Sequence, residues 1–199
     1  MMWRLLVLGF GVLGLVGCAV QPPASAPAAE TLSIEAWQPP ASPEAWTLSG
    51  RASLQFEDEV GTASLRWQES ADGYQLDLRG ALGSGRLRLV GSAGMVTLTT
   101  ADGEQHTAAN PAELVRAVTG YALPVGLLRW WVLGQPVPWM DGEVSLDAQG
   151  RAIALNQGGW RVRYARHARY DGYRLPARVE VRHEAIQMRL VIRDWQVEN

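Results

Sequence analysis

Residues 46–56 read Trp-Thr-Leu-Ser-Gly-Arg-Ala-Ser-Leu-Gln-Phe, and this stretch decides the fold. Apolar or small side chains fall at every second position, which is the period of a β-strand that buries one face. They are Trp46, Leu48, Gly50, Ala52, Leu54 and Phe56. The pattern predicts a long first strand with its inward face set by these residues.

The same alternation recurs along the rest of the chain. Further strands are predicted at 65–67, 74–78, 86–90, 95–99, 104–107, 151–156, 160–165, 173–182 and 186–193. Glycine-rich turns separate most of these segments, and short connections predict antiparallel pairing.

Two helices interrupt the strands. Asn110, Pro111 and Glu113 have the spacing of an N-cap, a first-turn proline and a capping-box acid, and this helix should end at Gly120. A second helix is predicted from Pro124 to Gly134. About ten or eleven strands with two helices predict a strongly curved sheet, either a barrel or a half-open one, whose concave side the helices cover.

The amino terminus has the pattern of an exported lipoprotein. Arg4 precedes an apolar run over residues 5–16, which is too short for a membrane-spanning helix and typical of a signal peptide. The run ends in Leu15, Val16, Gly17 and Cys18, which resemble a bacterial lipobox. We therefore expect residues 1–17 to be removed and Cys18 to carry S-diacylglyceryl and N-acyl lipids.

Residues 18–45 are rich in alanine and proline, and we interpret them as the lipidated terminus and a flexible tether. Residues 46–199 are expected to form one domain. No acidic residue follows Cys18 directly, which favours the outer membrane over the inner one. The predicted location is lipid-anchored on the periplasmic side of the outer membrane.

Charge is distributed unevenly along the chain. All 18 basic residues are arginine, and positions 151–199 hold ten of them against five acidic residues. This basic third could meet an acidic partner or anionic head groups, or could be a solvated strand face.

The sequence gives little support for catalysis. His106, His167 and His183 are scattered without a partner motif, and Ser84 lacks the spacing of a nucleophile elbow. No metal-binding motif or paired-carboxylate signature is present. We therefore expect no enzyme, no catalytic residue, no metal, and no cofactor beyond the lipid on Cys18.

Tryptophan is abundant, with nine in 199 residues. Trp46 and Trp195 are interpreted as core residues. Trp67, Trp131 and Trp160 come from three distant elements, each on the predicted inward face, and could line one hydrophobic cavity.

The connection over residues 80–85 places Leu82 at the centre of a glycine-rich hairpin tip. On a tethered protein an exposed leucine there can dip into lipid, with a contribution of about 1–3 kcal/mol if it is fully buried.

Taken together, these segments resemble the LolB family of outer-membrane lipoprotein receptors. The resemblance runs from about Trp46 to Trp195. It is carried by Gly50 to Ala52, Trp67 and Gln68, 74–78, 82–84, 120–124, 128–134, 157–164, Leu175 and Pro176.

The resemblance implies a mainly β fold, an unclosed antiparallel β-barrel of about 11 strands with helices covering the concave side. It also implies an acyl-chain cavity containing Trp67, Trp131 and Trp160, and a membrane insertion loop at Leu82 and Gly83. The expected partners are a LolA-type periplasmic carrier, lipoprotein acyl chains and outer-membrane lipid, with no nucleic acid and a monomeric chain. One member of the family has Asn-Pro before the loop leucine, where this chain has Gly80 and Ala81.

Two other functions stay open from sequence. One is a lipoprotein of LolA-like fold that binds another lipid or peptide. The other is a glycan-directed enzyme that uses tryptophans as sugar platforms.

Overall fold

The protein is built around one twelve-stranded sheet. The structure, a computed structural model, describes residues 28–56, 59–80, 85–92, 94–121 and 123–198. The strands are β1 (Glu30–Ser33), β2 (Ala45–Phe56), β3 (Glu59–Ser70), β4 (Gly73–Arg79), β5 (Arg86–Ser92), β6 (Met95–Thr99), β7 (Gln105–Ala108), β8 (Gly142–Leu146), β9 (Ala152–Gln157), β10 (Trp160–Tyr170), β11 (Tyr173–His183) and β12 (Ile186–Glu198). The helices are α1 (Pro111–Thr119) and α2 (Val125–Trp131), and Ile34–Ala36 forms a 3-10 turn.

The spatial order of the strands is β1-β8-β9-β10-β11-β12-β2-β3-β4-β5-β6-β7, and every neighbouring pair is antiparallel. The pairing of β12 with β2 joins the carboxy-terminal hairpins to the amino-terminal ones. Because β1 and β7 stand at the two ends of this order, the sheet is unclosed. The predicted fold is confirmed, with twelve strands where about eleven were expected.

The sheet curls around α2. Arg129 of this helix reaches Glu69 on β3, while Trp131, two residues later, contacts Gln157 on β9. Five strand spacings separate β3 from β9, which is about 24 Å along a flat sheet. A helix of seven residues, about 10 Å long, contacts both strands because the sheet bends around it. The concave side therefore carries α2, and α1 packs beside β6 and β7.

The first helix begins and ends as its sequence predicts. The Asn110 side chain accepts hydrogen bonds from the backbone N–H groups of Ala112 and Glu113, at 2.9 and 3.4 Å. Gly120 ends α1 in the left-handed conformation, with φ of 82°. No helix in the described ranges is long and apolar enough to cross a membrane.

The aromatic core lies where β2, β3 and β12 meet. Trp46 is 2% exposed and lies 5.5 Å from Trp67 and 5.3 Å from Trp195, measured between ring centroids. The Trp195 indole donates to the carbonyl of Pro176. The assignment of Trp46 and Trp195 to the core is confirmed.

Part of the predicted tether is ordered against the domain. Strand β1 pairs with β8, Trp37 is buried, and the Gln135 side chain donates to the carbonyl of Pro40 at 2.7 Å. The tether interpretation is therefore wrong for residues 30–40. The alanine- and proline-rich composition indicated a flexible segment, but the backbone of β1 forms hydrogen bonds with β8, a strand that the sequence pattern did not predict.

Gly50 provides a test of the β2–β12 contact. A Cβ atom at this position would lie 2.2 Å from the carbonyl oxygen of Val191, so backbone must move to admit it. We expect Gly50→Ala to lower the free energy of unfolding by about 2 kcal/mol in urea denaturation.

The matched control is Gly126→Ala, where the nearest atom to the new methyl is Cγ of Pro111 at 3.9 Å. This control should leave stability unchanged or raise it by about 0.5–1 kcal/mol, since alanine favours a helix. Equal effects at the two positions would contradict the close-contact argument.

Candidate functional site

A cavity of about 850 Å³ opens beside α2 on the concave side of the sheet. Its walls come from the β3–β4 and β5–β6 turns, the start of α1, helix α2, and the first residue of β10. The volume falls within the roughly 300–1,000 Å³ of small-molecule sites. The fold therefore encloses a space that could hold a ligand.

The lining is mainly apolar. Its large apolar and aromatic members are Trp67, Tyr74, Met95, Val96, Leu123, Val125, Leu127, Trp139 and Trp160. Trp139 is 68% exposed and packs edge-on against Trp130, at 5.9 Å between centroids. Asp72 and Arg129 are the charged residues of the lining. Such a surface favours a ligand with long hydrocarbon parts.

Two of the three predicted cavity tryptophans line this space. Trp67 of β3 and Trp160 of β10 both border it. Trp131 is completely buried behind Trp160, with 5.8 Å between the ring centroids. It supports the cavity wall and does not form the lining.

Gln157 fixes the position of Trp131. Its buried side chain accepts from the Trp131 indole at 3.2 Å and from the N–H of Val137 at 3.0 Å. It also donates to the carbonyls of Val137 and Met140, at 3.1 and 2.8 Å. All four hydrogen-bonding positions of the amide are used, so one side chain ties α2 and the chain after it to β9.

Glu69 holds the other side of α2. Glu69 is 6% exposed, and its carboxylate accepts a hydrogen bond from the Trp67 indole at 3.2 Å and pairs with the guanidinium of Arg129. The Tyr74 ring lies 6.4 Å from that of Trp67. A buried carboxylate thus lies directly behind the apolar wall and is bonded to the helix that covers it.

Burial is the largest influence on the pKa values of Glu69 and Tyr74. Desolvation raises the pKa of Glu69, although Arg129 and the Trp67 hydrogen bond partly oppose the rise. Burial, followed by the charge of Glu69, raises the pKa of Tyr74 to about 12. The Tyr74 hydroxyl is buried without a hydrogen-bond partner among the described residues. Near neutral pH the hydroxyl is therefore uncharged.

Sequence reasoning missed Glu69, Arg129 and Gln157. The sequence pattern did indicate that Glu69 is buried, because Leu65, Trp67 and Glu69 occupy successive inward positions of β3. A carboxylate in that series must be buried and needs a partner. Arg129 and Gln157 gave no comparable signal, since their roles depend on contacts across the fold.

Several predicted residues do not contribute to this cavity. Cys18, Leu82 and Gly83 lie outside the described residues, and their assigned roles stay predictions. His106, His167 and His183 are not among the residues that line the cavity. In the described ranges, His, Cys, Asp and Glu side chains form no cluster of three or more that could hold a metal ion.

Comparison with known proteins fits this arrangement. Residues 44–195 match the family model for the outer membrane lipoprotein LolB. This chain belongs to the LolB family. The outer-membrane lipoprotein LolB of Alkalilimnicola ehrlichii is 39% identical over 196 residues, which is 98% of this chain and 97% of that protein. The LolB of Halorhodospira halophila is 40% identical over 151 residues, 75% of this chain and 74% of that one.

Solved structures support the fold independently. A LolA superfamily protein from Nitrosomonas europaea aligns with a TM-score of 0.51 at 9% identity, over 78% of this chain and 87% of its own. A DUF1329 family protein from Desulfovibrio piger also gives 0.51, at 7% identity, over 79% and 87%. At such low identity the likeness concerns the fold alone. As a LolB family member, the chain is an outer-membrane, lipid-anchored protein.

The raised pKa of Glu69 predicts a pH-dependent stability. The folded protein binds this proton more tightly than the unfolded chain does, so ionisation of Glu69 opposes folding as pH rises above the ordinary value of 4.5. As pH is raised from about 4.5 towards neutrality, we expect the free energy of unfolding of the wild type to fall relative to that of Glu69→Gln. Urea denaturation at a series of pH values measures this difference.

The control is Glu143→Gln, which neutralises an exposed carboxylate on β8 and leaves the α2 contacts in place. A constant difference between wild type and Glu69→Gln at every pH would show that Glu69 ionises equally in the folded and unfolded states.

Proposed function

We propose that this LolB family member is a receptor that accepts lipoproteins from a LolA-type periplasmic carrier and inserts them into the outer membrane. The observation that carries the proposal is the apolar cavity of about 850 Å³ beside α2. In this function the cavity holds acyl chains of the cargo, with Trp67 and Trp160 at its wall and Trp131 behind Trp160. The chain acts as a monomeric binding protein and breaks no covalent bond.

Transfer requires only that the affinity for acyl chains increases at each step along the route. Each methylene shielded from water contributes about 0.8 kcal/mol, so an acyl chain crosses the periplasm only while it is covered. Cargo moves forward if this cavity binds the chains more tightly than the carrier and the bilayer binds them more tightly still. The basic carboxy-terminal third is the predicted docking region for an acidic carrier.

The anchor at Cys18 keeps the cavity near the membrane, and the loop containing Leu82 and Gly83 promotes release of cargo into lipid. The β4–β5 connection leaves the sheet at the opposite end of these strands from the β3–β4 and β5–β6 turns that line the cavity. Binding and membrane insertion can therefore be tested separately.

The cavity assignment predicts the effect of a charge at Leu127, a half-buried residue of α2 that lines the cavity. Leu127→Glu should weaken binding of a fluorescent fatty acid by at least about tenfold, because an acyl chain cannot solvate the carboxylate. Val90→Glu is the control, since Val90 is an exposed apolar residue of β5 and is not part of the lining. Unchanged binding by Leu127→Glu would exclude this cavity as the acyl site.

The loop assignment predicts a different defect. Leu82→Glu should still bind lipoprotein cargo but insert it into vesicles at least about tenfold more slowly, since a charged tip disfavours entry into lipid. The control is Ala165→Glu, which adds the same charge at an exposed residue of β10, outside the β2–β5 half of the sheet. Normal insertion by Leu82→Glu, with cargo binding intact, would remove the proposed role of the loop.

A further inference from the structure

The outward face of β2 to β5 carries a group of arginines that cavity binding does not explain. We define the arginine patch as Arg51, Arg66, Arg79, Arg86 and Arg88. Among outward-facing positions in the described parts of these four strands, Asp77 is the only acidic residue. The patch therefore has a clear excess of positive charge.

Strand register brings the patch together. Arg51 pairs with Ser64, Ser64 with Arg79, and Arg79 with Arg86 along one hydrogen-bonded row. Arg51 and Arg79 are thus two strand spacings apart, about 10 Å, with only a small serine between them. The next outward row contains Arg66 and then Arg88, on either side of Asp77. Distant parts of the sequence form one continuous basic surface.

Most of this charge is not neutralised within the protein. Arg88 and Arg86 pair with Asp77, at 2.8 and 3.4 Å. Burial would raise the pKa of Asp77, but hydrogen bonds from Arg88, Gln75 and Arg86 and the charge of Arg88 lower it. Arg51, Arg66 and Arg79 are exposed and form no ion pair among the described residues.

The location of the patch favours a membrane as its partner. Nine residues lie between Cys18 and Ala28, the first residue that the structure describes, so a fully extended chain places these two positions at most about 35 Å apart. A domain of this size has a radius of gyration of about 15 Å, so a lipid anchor keeps each of its faces within reach of the bilayer. Arg79 and Arg86 flank the connection over residues 81–84, and the N–H of Gly80 donates to the carbonyl of Gly85 at its base.

We propose that the arginine patch binds the phosphate groups of anionic lipid headgroups and seats the β2–β5 half of the sheet on the outer membrane. The planar guanidinium donates paired hydrogen bonds to phosphate oxygens and stays charged at every physiological pH. The inference deepens the proposed function and rests on it for the insertion step. Bound in this way, Arg79 and Arg86, the last residue of β4 and the first of β5, would lie at headgroup depth.

The test measures binding to vesicles by the full chain carrying Cys18→Ala, which lacks the lipid site. Neutral phosphatidylcholine vesicles report the apolar contribution common to all variants, and vesicles that also contain phosphatidylglycerol report the added effect of anionic headgroups. Each arginine near an anionic surface contributes about fivefold. Combining Arg51→Gln, Arg66→Gln and Arg79→Gln should therefore lower binding to anionic vesicles roughly 100-fold and leave binding to neutral vesicles unchanged.

The matched control combines Arg161→Gln, Arg163→Gln and Arg182→Gln. These arginines are exposed on β10 and β11, form no ion pair among the described residues, and give the same change in net charge. The control should retain most anionic-vesicle binding. An equal loss in both triple variants would overturn the inference, because net charge alone would explain it. Unchanged binding by the patch variant would overturn it as well.

Cargo assays separate this inference from the proposed function. If the patch variant fails to accept lipoprotein from a carrier in the absence of vesicles, the patch is a protein-docking face and the inference is wrong. If the chain accepts no lipoprotein but still binds anionic vesicles through the patch, the proposed function fails and the inference stands.

Discussion

The pairing of β12 with β2 is the constraint on which the rest of the structure depends. Its register runs from Ile186 opposite Phe56 to Glu198 opposite Ala45, with one irregularity after Ile192. These strands lie at opposite ends of the domain's sequence, so their pairing closes a long loop. The loss of chain entropy in that step is larger than for the pairing of adjacent strands in a hairpin. Once it forms, two sets of hairpins become one sheet, and residues of β3 and β10 can border the same cavity. Gly50 permits the close approach because its neighbour's carbonyl leaves no room for a Cβ atom.

Polar side chains, more than apolar ones, determine how α2 sits within this sheet. Apolar packing has little directional preference, and a short helix could lie on the concave surface in several orientations. Gln157 and Glu69 remove that freedom, because each is buried and each requires partners at defined angles. The cavity wall is consequently held from two sides, through Trp131 on one and Arg129 on the other. Its apolar lining can bind hydrocarbon while its shape is maintained by hydrogen bonds behind it.

The sequence predicted the elements with strong local patterns and missed those that depend on neighbours. The alternation in 46–56 and the Asn110 cap each correspond closely to β2 and α1, because period and capping are encoded within a few residues. Strands β1 and β8 were missed: β1 is polar and largely exposed, and β8 contributes only Val144 and Leu146 to the core. Trp160 lines the cavity and Trp131 supports it from behind, a difference that periodicity cannot predict.

The unclosed sheet has a mechanical consequence for a protein that must receive and release bulky cargo. In a closed barrel the last strand is hydrogen-bonded to the first, and this closure fixes the circumference of the barrel. Among the described residues β1 and β7 are the edge strands, so the curvature of the sheet can change through small adjustments of twist. The cavity walls can therefore adjust to a larger ligand without opening a closed ring of strands.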